Sequence, residues 1–453
     1  MSCPPKMPYL MTTLHVGLHH VQYCMYAPIV HFPYDNEIFS FPSTHNKHDR
    51  HTIYHLSMMT TISLQLLWVI FLTFQNISSS AYDNGLGLTP PMGFNTWNTF
   101  ACDIEEELIH DMVHTLYHLG LKDLGYTYIN LDDCWQVSRD EDGHIQEDRK
   151  AFPSGIAALS DYVHSFGFKF GLYSDAGYYT CQRRPGSLGY EKQDAEMYAK
   201  WNIDYLKYDN CYSNPLDVKQ RYQAMHDALN ATGHPIYFSM CEWGVQDPAT
   251  WANPVGNSWR TTGDINASWK SITKLLDQNN KWHAYAGVGG WNDPDMLEVG
   301  RGDLTYSESK SHFTLWCLMK APLLLGNDLR NMDSSILQII SNTEVIALNQ
   351  DPLGVQGYKR SVVNDLEVWA GELSGGHVAV VLFNRSPEPS LITATWEDIG
   401  LAGGSQYYAR DLWAHKETGI QVGSIQAVVD SHDVVALRLS PAPQTEFYTN
   451  KVS

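Results

Sequence analysis

From about residue 86 to residue 330 the chain alternates short β-branched or aromatic runs with amphipathic stretches, and no other feature restricts its fold as much. A run that ends in a helix, repeated along the chain, is the pattern of a parallel sheet with its crossovers. The runs are MGFNTW (92–97), YTYINLDD (126–133), FKFGLYSD (168–175), DYLKYDN (204–210), PIYFSMCEW (235–243), SWRTTGD (258–264), AYAGVGGW (284–291) and PLLLGND (322–328). Helix-like segments lie between them. In Ile104 to Leu119, Leu108, Met112 and Leu116 recur every four residues, and Asp217 to Leu229 is a second example. Eight such units in about 250 residues predict an α/β fold, a (β/α)8 TIM barrel, with the active site at the C-terminal ends of the strands.

After Gln350-Asp351-Pro352-Leu353-Gly354 the texture changes. LEVWAGEL (366–373), HVAVVLFN (377–384), SLITATW (390–396), QYYARDLW (406–413) and DVVALRLS (433–440) alternate apolar with polar residues between turn-forming positions, which predicts an antiparallel β-sandwich. The expected organisation is an N-terminal extension over 1–57, a signal peptide over 58–81, a catalytic barrel over 82–352, a C-terminal β-sandwich over 353–441 and a flexible tail over 442–453.

The signal peptide rests on LQLLWVIFLTF (64–74), an apolar run of h-region length followed by Ser79 and Ala81 at positions suited to cleavage before Tyr82. It falls short of the roughly 20 residues that span a bilayer, so no membrane partner is expected once the signal is removed. Secretion, to the apoplast of a cell wall or to a vacuole, is the expected location. The first 57 residues hold eight of the 20 histidines without hydrophobic periodicity. They read as a metal-binding tail or as an extension ahead of a start at Met58 or Met59; the second is favoured, because metal ligands need fixed geometry.

Charge excludes one class of partner. With 50 acidic against 30 basic side chains and a formal charge of −20, no basic stripe is available to neutralise phosphates, so no nucleic acid is expected. The eight cysteines form no CxxC pair and no zinc-like cluster, so neither metal nor cofactor is expected. Cys102, Cys134, Cys181 and Cys211 fall in one segment, where two bridges would form in an oxidising compartment.

Several predicted strands end in acids: Asp132 and Asp133, Asp175, Asp209, Glu242, Asp264 and Asp293. Hydrolysing a glycosidic bond with retention needs two carboxyl groups about 5 to 5.5 Å apart. Asp209 and Asp264 are the candidates, each ending a strand two positions round the barrel from the other. Lys207 shares a strand face with Asp209 and would hold it ionised, as a nucleophile requires. Arg260 could orient a sugar hydroxyl or the Asp264 carboxylate through its planar fork. The adjacent acids Asp132 and Asp133 suggest hydroxyl binding. Trp97, Trp243 and Trp291 follow strand-like stretches and could pack against sugar C–H faces.

MGFNTWNTF, INLDDCW, GLYSDAG, LKYDNC, MCEWG, WRTTGDI and GGWNDPDML, in that order, resemble the α-galactosidases of the clan-D glycoside hydrolases, most closely the plant members of the melibiase family. The resemblance runs from about Asn84 to about Ser440. It implies Asp209 as nucleophile and Asp264 as acid/base, with Trp97, Asp132, Asp133, Tyr173, Lys207 and Arg260 lining a pocket for terminal galactose and Met296 near its wall. It places Cys241 and Trp243 in the loop that separates galactose from N-acetylgalactosamine recognition, where a bulky Trp243 favours galactose. It implies disulfides Cys102 to Cys134 and Cys181 to Cys211, with Cys241 free and Cys317 in the core. Sequons at Asn230 and Asn266 fit a secreted glycoprotein.

The function so implied is a retaining, exo-acting α-galactosidase acting on galactose-containing oligo- or polysaccharides or galactolipids, as a monomer or homodimer. A β-L-arabinopyranosidase, an α-N-acetylgalactosaminidase and a non-catalytic sugar-binding protein are the alternatives.

Overall fold

A computed structural model describes residues 82–213 and 216–442. The N-terminal extension, the signal segment, and the tail from residue 443 lie outside the described residues. Among those described, no helix is long and apolar enough to cross a membrane.

Among the described residues, ten strands precede residue 330: β1 (Met92–Asn95), β2 (Tyr128–Asn130), β3 (Gln136–Arg139), β4 (Ile145–Glu147), β5 (Lys169–Asp175), β6 (Tyr205–Asp209), β7 (Tyr237–Met240), β8 (Ser258–Arg260), β9 (Trp291–Asp293) and β10 (Leu323–Leu325). β3 and β4 form a separate hairpin; the other eight make one parallel sheet in the order β10-β1-β2-β5-β6-β7-β8-β9. Just after β9, Leu297 makes a parallel bridge to Leu325 of β10, which brings the two edges of the sheet together. This is the barrel that the alternation predicts.

The seventh predicted strand is misplaced. AYAGVGGW is mostly a turn: the Gly287 amide bonds to the Gly290 carbonyl, Gly289 takes a positive φ of 93°, and the strand begins only at Trp291. Three glycines in this run lower the cost of turning and leave few side chains to pack in a sheet.

Alternation along the strands stacks the barrel interior in layers. Tyr128, Tyr205 and Tyr237 fill the lower layer, where the rings of Tyr205 and Tyr237 lie parallel at 5.0 Å. Two residues further along each strand the inward positions become polar, as at Lys207 and Ser239. The apolar floor therefore supports a polar layer at the C-terminal end.

The C-terminal region holds β11 (Tyr358–Val363), β12 (Leu366–Glu372), β13 (Val378–Asn384), β14 (Ser390–Thr395), β15 (Gln406–Asp411), β16 (Lys416–Val422), β17 (Ser424–Val429) and β18 (Val434–Pro441). Six form an antiparallel sheet, β11-β12-β13-β18-β15-β16, and β14 pairs with β17. Its central strand β13 shows why it sits here. Ala379, Val381 and Phe383 face the barrel core, while Val378, Val380 and Leu382 face the β14–β17 layer. The helix Tyr306–Leu318 packs between barrel and sheet, buried nearly all round and started by a Thr305–Glu308 capping box. Lys359 and Arg385 each bridge Asp277 of the barrel and Glu367 of β12.

Candidate active site

The acidic strand ends converge. One cavity at the C-terminal end of the sheet is lined by Trp97, Asn98, Asp132, Asp133, Tyr173, Cys181, Lys207, Asp209, Cys241, Trp243, Arg260, Asp264, Ile265, Asp295 and Met296. Every residue named above as a nucleophile, acid/base or sugar contact on the strength of the family resemblance is in this set.

Asp209, the last residue of β6, is buried. Its Oδ2 accepts from the Tyr173 hydroxyl at 2.8 Å and its Oδ1 from the Asn210 amide at 2.9 Å. Burial pushes its carboxyl up to about 6, against the opposing pull of the Lys207 ammonium and these donors. Asp175 stands level with it on the neighbouring strand β5 and accepts from the Gly177 and Cys211 amides. Burial first, then the Asp209 charge, push Asp175 up to about 9.

Lys207 does share a face with Asp209, but its ion pair is with Asp132, Nζ to Oδ2 at 2.7 Å. Strand periodicity fixes a side chain's face and says nothing of which neighbouring strand supplies its direct partner; the ammonium still pulls the Asp209 carboxyl down, as the sequence predicts. Asp132 Oδ2 also accepts from the Asn95 side chain at 2.8 Å. Asp133 accepts from the Cys134 amide at 2.7 Å and from the Gln182 amide at 3.0 Å.

Asp264 is a second correction. It lies on the loop four residues past the end of β8, since that strand stops at Arg260. Its side chain is 75% exposed, in contrast to Asp209. Arg260 is buried and holds the site's far wall together. Its Nη2 lies 3.1 Å from both Asp264 Oδ1 and Asp295 Oδ2, and its Nη1 donates to the Cys241 sulfur at 3.4 Å. These acids hold its guanidinium further above its ordinary value than burial lowers it.

Asp295 was missed as a site residue, although the WNDPD run carried a signal in its second acid. It takes a positive φ of 85°, which lets its carboxylate accept from the Ile265 and Met296 amides while facing Arg260. Trp243 at φ 56° and Cys134 at φ 84° are similarly placed in the left-handed region. Such backbone costs about 1 to 3 kcal/mol per residue and gathers where geometry is imposed by the surroundings.

Two residues from the list of strand-end candidates turn away. Trp291 is buried and its indole N–H donates to the Gly87 carbonyl, so it belongs to the core. Glu242 is buried outside the cavity, and burial holds its carboxyl well above the usual range. Asp293 lies beneath the cavity, pushed up to about 6 by burial.

Disulfides join Cys102 to Cys134 and Cys181 to Cys211, and Cys241 and Cys317 are free and buried. The first bridge ties the loop after Trp97 to the one carrying Asp132 and Asp133; the second ties the loop after β5 to the end of β6. Loops of about 30 residues closed in this way contribute roughly 3.6 kcal/mol each in the chain-entropy account. Ligand atoms of Asp175, Asp209, Cys181 and Cys211 come within 4.8 Å of one another, but the sulfurs are bonded together and offer no thiolate to a metal.

The raised carboxyls make a stability prediction. Asp175 has an ordinary value of 3.8 and stands near 9 when folded, so the folded chain holds this proton more tightly than the unfolded one. The contribution is fully present below about pH 3.8 and is lost as pH rises through about 9. Asp175→Asn cannot ionise. Its thermal midpoint relative to the parent is expected to rise between pH 5 and pH 8, and an equal difference at both values would contradict the assignment.

Comparison with known proteins agrees with the geometry. Residues 89–351 match the family model described as "Alpha galactosidase A", and residues 363–439 match "Alpha galactosidase C-terminal beta sandwich domain". The chain is 55% identical over 368 residues to an α-galactosidase of Cyamopsis tetragonoloba, covering 81% of this chain and 90% of that one. It is 56% identical over 360 residues to one of Coffea arabica, covering 79% and 95%. Among solved structures, α-galactosidase I of Mortierella vinacea superposes with a TM-score of 0.78 at 38% identity, over 80% of this chain and 99% of that one. The chain belongs to the α-galactosidase (melibiase) family of glycoside hydrolases.

Proposed function

We propose that this chain removes terminal α-linked galactose by double displacement. One observation carries the reading: a single cavity holds two carboxylates in opposite settings, Asp209 buried under fixed donors and Asp264 open to water beside Arg260. The Asp209 carboxylate attacks the anomeric carbon as the bond to the leaving oxygen breaks, and the Asp264 proton passes to that oxygen. Water then adds at the anomeric carbon, gives its proton to Asp264, and frees Asp209. Because Arg260 engages Asp264 Oδ1, Oδ2 is left to carry the proton.

Asp132 and Asp133 would accept from galactose hydroxyls, with Lys207, which has donors beyond the one given to Asp132, adding a further contact. Half-buried Trp243 narrows the wall beside Cys241, which favours galactose over a 2-acetamido sugar. Hydrolysis of an α-galactoside, an α-N-acetylgalactosaminide and a β-L-arabinopyranoside tests this. Preference for the first, with the released galactose initially in the α form by NMR, supports the reading; a β product or no turnover on any of them overturns it.

Activity requires ionised Asp209, so kcat/KM is expected to fall on the acid side through about pH 6. A limb that stays flat down to pH 4 would contradict this.

The residues ahead of Tyr82 support secretion through a signal segment, to a cell wall or a vacuole. Asn230 and Asn266 are exposed, as glycosylation in that route requires. Expression in a eukaryotic host should give a mass that endoglycosidase lowers, and Asn230→Gln with Asn266→Gln should abolish the shift.

A further inference from the structure

The disulfide between Cys181 and Cys211 sits against the carboxylate of Asp209, and the hydrolysis described above uses neither sulfur. Cys181 Sγ lies 3.5 Å from Asp209 Oδ2, and one ligand atom each from Asp175, Cys181, Asp209 and Cys211 fall within 4.8 Å of one another. While the bridge stands, its sulfurs can hold no metal. Reduced, the same four residues offer two thiolates and two carboxylates, a donor set that suits zinc or cadmium.

The residues are held together by more than the bridge. The Ala176 amide donates to the Asp209 carbonyl at 2.9 Å and the Tyr178 amide to the Tyr212 carbonyl at 3.3 Å, which stitches the loop after β5 to the end of β6. The Cys211 amide donates to Asp175 Oδ2 at 2.9 Å. Gly177 comes so close that a Cβ there would meet the Cys211 carbonyl at 2.0 Å. Cys181 itself rides on a hairpin closed by the Tyr179–Pro185 bridge and by the Thr180 amide on the Arg184 carbonyl. With the two Cα atoms 5.1 Å apart, the freed sulfurs need only turn about their Cα–Cβ bonds. Two sulfurs on a tetrahedral zinc stand about 3.8 Å apart.

Charge points the same way. Lys207 is taken by Asp132, and Arg260 by Asp264 and Asp295. Asp175 and Asp209 stand level on neighbouring strands, and the donors bonded to them are neutral: the amides of Gly177, Cys211 and Asn210 and the Tyr173 hydroxyl. Each carboxylate oxygen keeps a lone pair for a further partner. A divalent cation between them relieves the repulsion of two adjacent carboxylates. Access exists as well, since Cys181 lines the cavity and both cysteines are only half-buried.

We propose that reduction of the Cys181–Cys211 bridge opens a site for a thiophilic divalent cation, held by both thiolates with Asp175 and Asp209, and that the bound metal silences the enzyme by occupying its nucleophile. A dithiol reductant supplies the two electrons and two protons that break the S–S bond and leaves as its own disulfide. Each new thiol passes its proton to water as its sulfur binds the metal. The site stands on geometry; the silencing rests on the α-galactosidase reading.

The test titrates the full chain with cadmium chloride, after reduction with dithiothreitol and its removal without air, and follows ultraviolet absorption and α-galactoside turnover. One equivalent should raise a thiolate-to-cadmium band and remove about nine-tenths or more of the turnover of the reduced, metal-free chain, and chelation by EDTA should restore it. The oxidised chain should show neither response. Cys181→Ser/Cys211→Ser should lose both, Cys102→Ser/Cys134→Ser should keep both, and Asp175→Asn should need about tenfold more cadmium. Equal bands in the oxidised and reduced chains, responses that survive in Cys181→Ser/Cys211→Ser, or a band with turnover unchanged would overturn the proposal. Should reduction by itself abolish turnover, the band and a cadmium-dependent rise in melting temperature decide, and the lack of either overturns it. An oxidised chain inactive on every α-galactoside is a separate result: it removes the α-galactosidase reading and the silencing with it, while the band still decides the site.

Discussion

Asp209→Asn is expected to lower kcat for α-galactoside hydrolysis by about ten-thousand-fold or more while leaving the chain folded. An amide cannot attack the anomeric carbon, so no glycosyl-enzyme forms. The surroundings tolerate the change: the side-chain carbonyl still accepts from the Asn210 amide, and the Tyr173 hydroxyl can turn from donor to acceptor. Burial disfavours the charge at this position, so the variant should be at least as heat-stable as the parent at pH 8. Steady-state kinetics and thermal unfolding on one preparation check both halves. Activity within tenfold of the parent would remove Asp209 from the nucleophile's role, and a collapse in stability would show that the carboxylate serves the fold.

Asp264→Ala should show a loss that depends on the leaving group. Proton donation matters most when the departing oxygen is basic, so kcat/KM on a galactosyl disaccharide should fall by about a hundred- to ten-thousand-fold, and on a dinitrophenyl α-galactoside far less. The second step then becomes slow, because no base activates water. Azide, which needs no base, should restore turnover and give α-galactosyl azide. The 75% exposure of the Asp264 side chain leaves room for the anion to enter. A uniform loss across leaving groups, with no azide rescue, would assign Asp264 to binding.

The seven ordered motifs were enough to indicate which residues would share a cavity, and all of them do. Individual partners were harder to read. The Lys207–Asp132 ion pair joins β6 to the loop after β2, strands separated in the sheet by β5. No periodicity within one segment encodes such a contact. Strand lengths went astray for a related reason: propensity extended SWRTTGD to Asp264, whereas hydrogen-bonded pairing with β9 ends at Arg260 and releases the acid onto an exposed loop position. In the C-terminal domain β16, KETGIQV, carried too few apolar residues to be recognised, and it exists because β15 supplies a hydrogen-bonding edge.

What the sequence determined by itself was the βα alternation, the apolar strands, and the acids at their ends, because each depends on residues close together along the chain. Tertiary structure alone decided how those acids differ. Asp209 and Asp264 are the same residue type, and only the folded barrel buries one beneath Tyr173 and leaves the other in water beside Arg260. Burial and hydrogen-bond donors act over a few ångströms, and the groups that supply them here come from distant parts of the chain, so the division of labour between two identical side chains arises only once the strands are side by side.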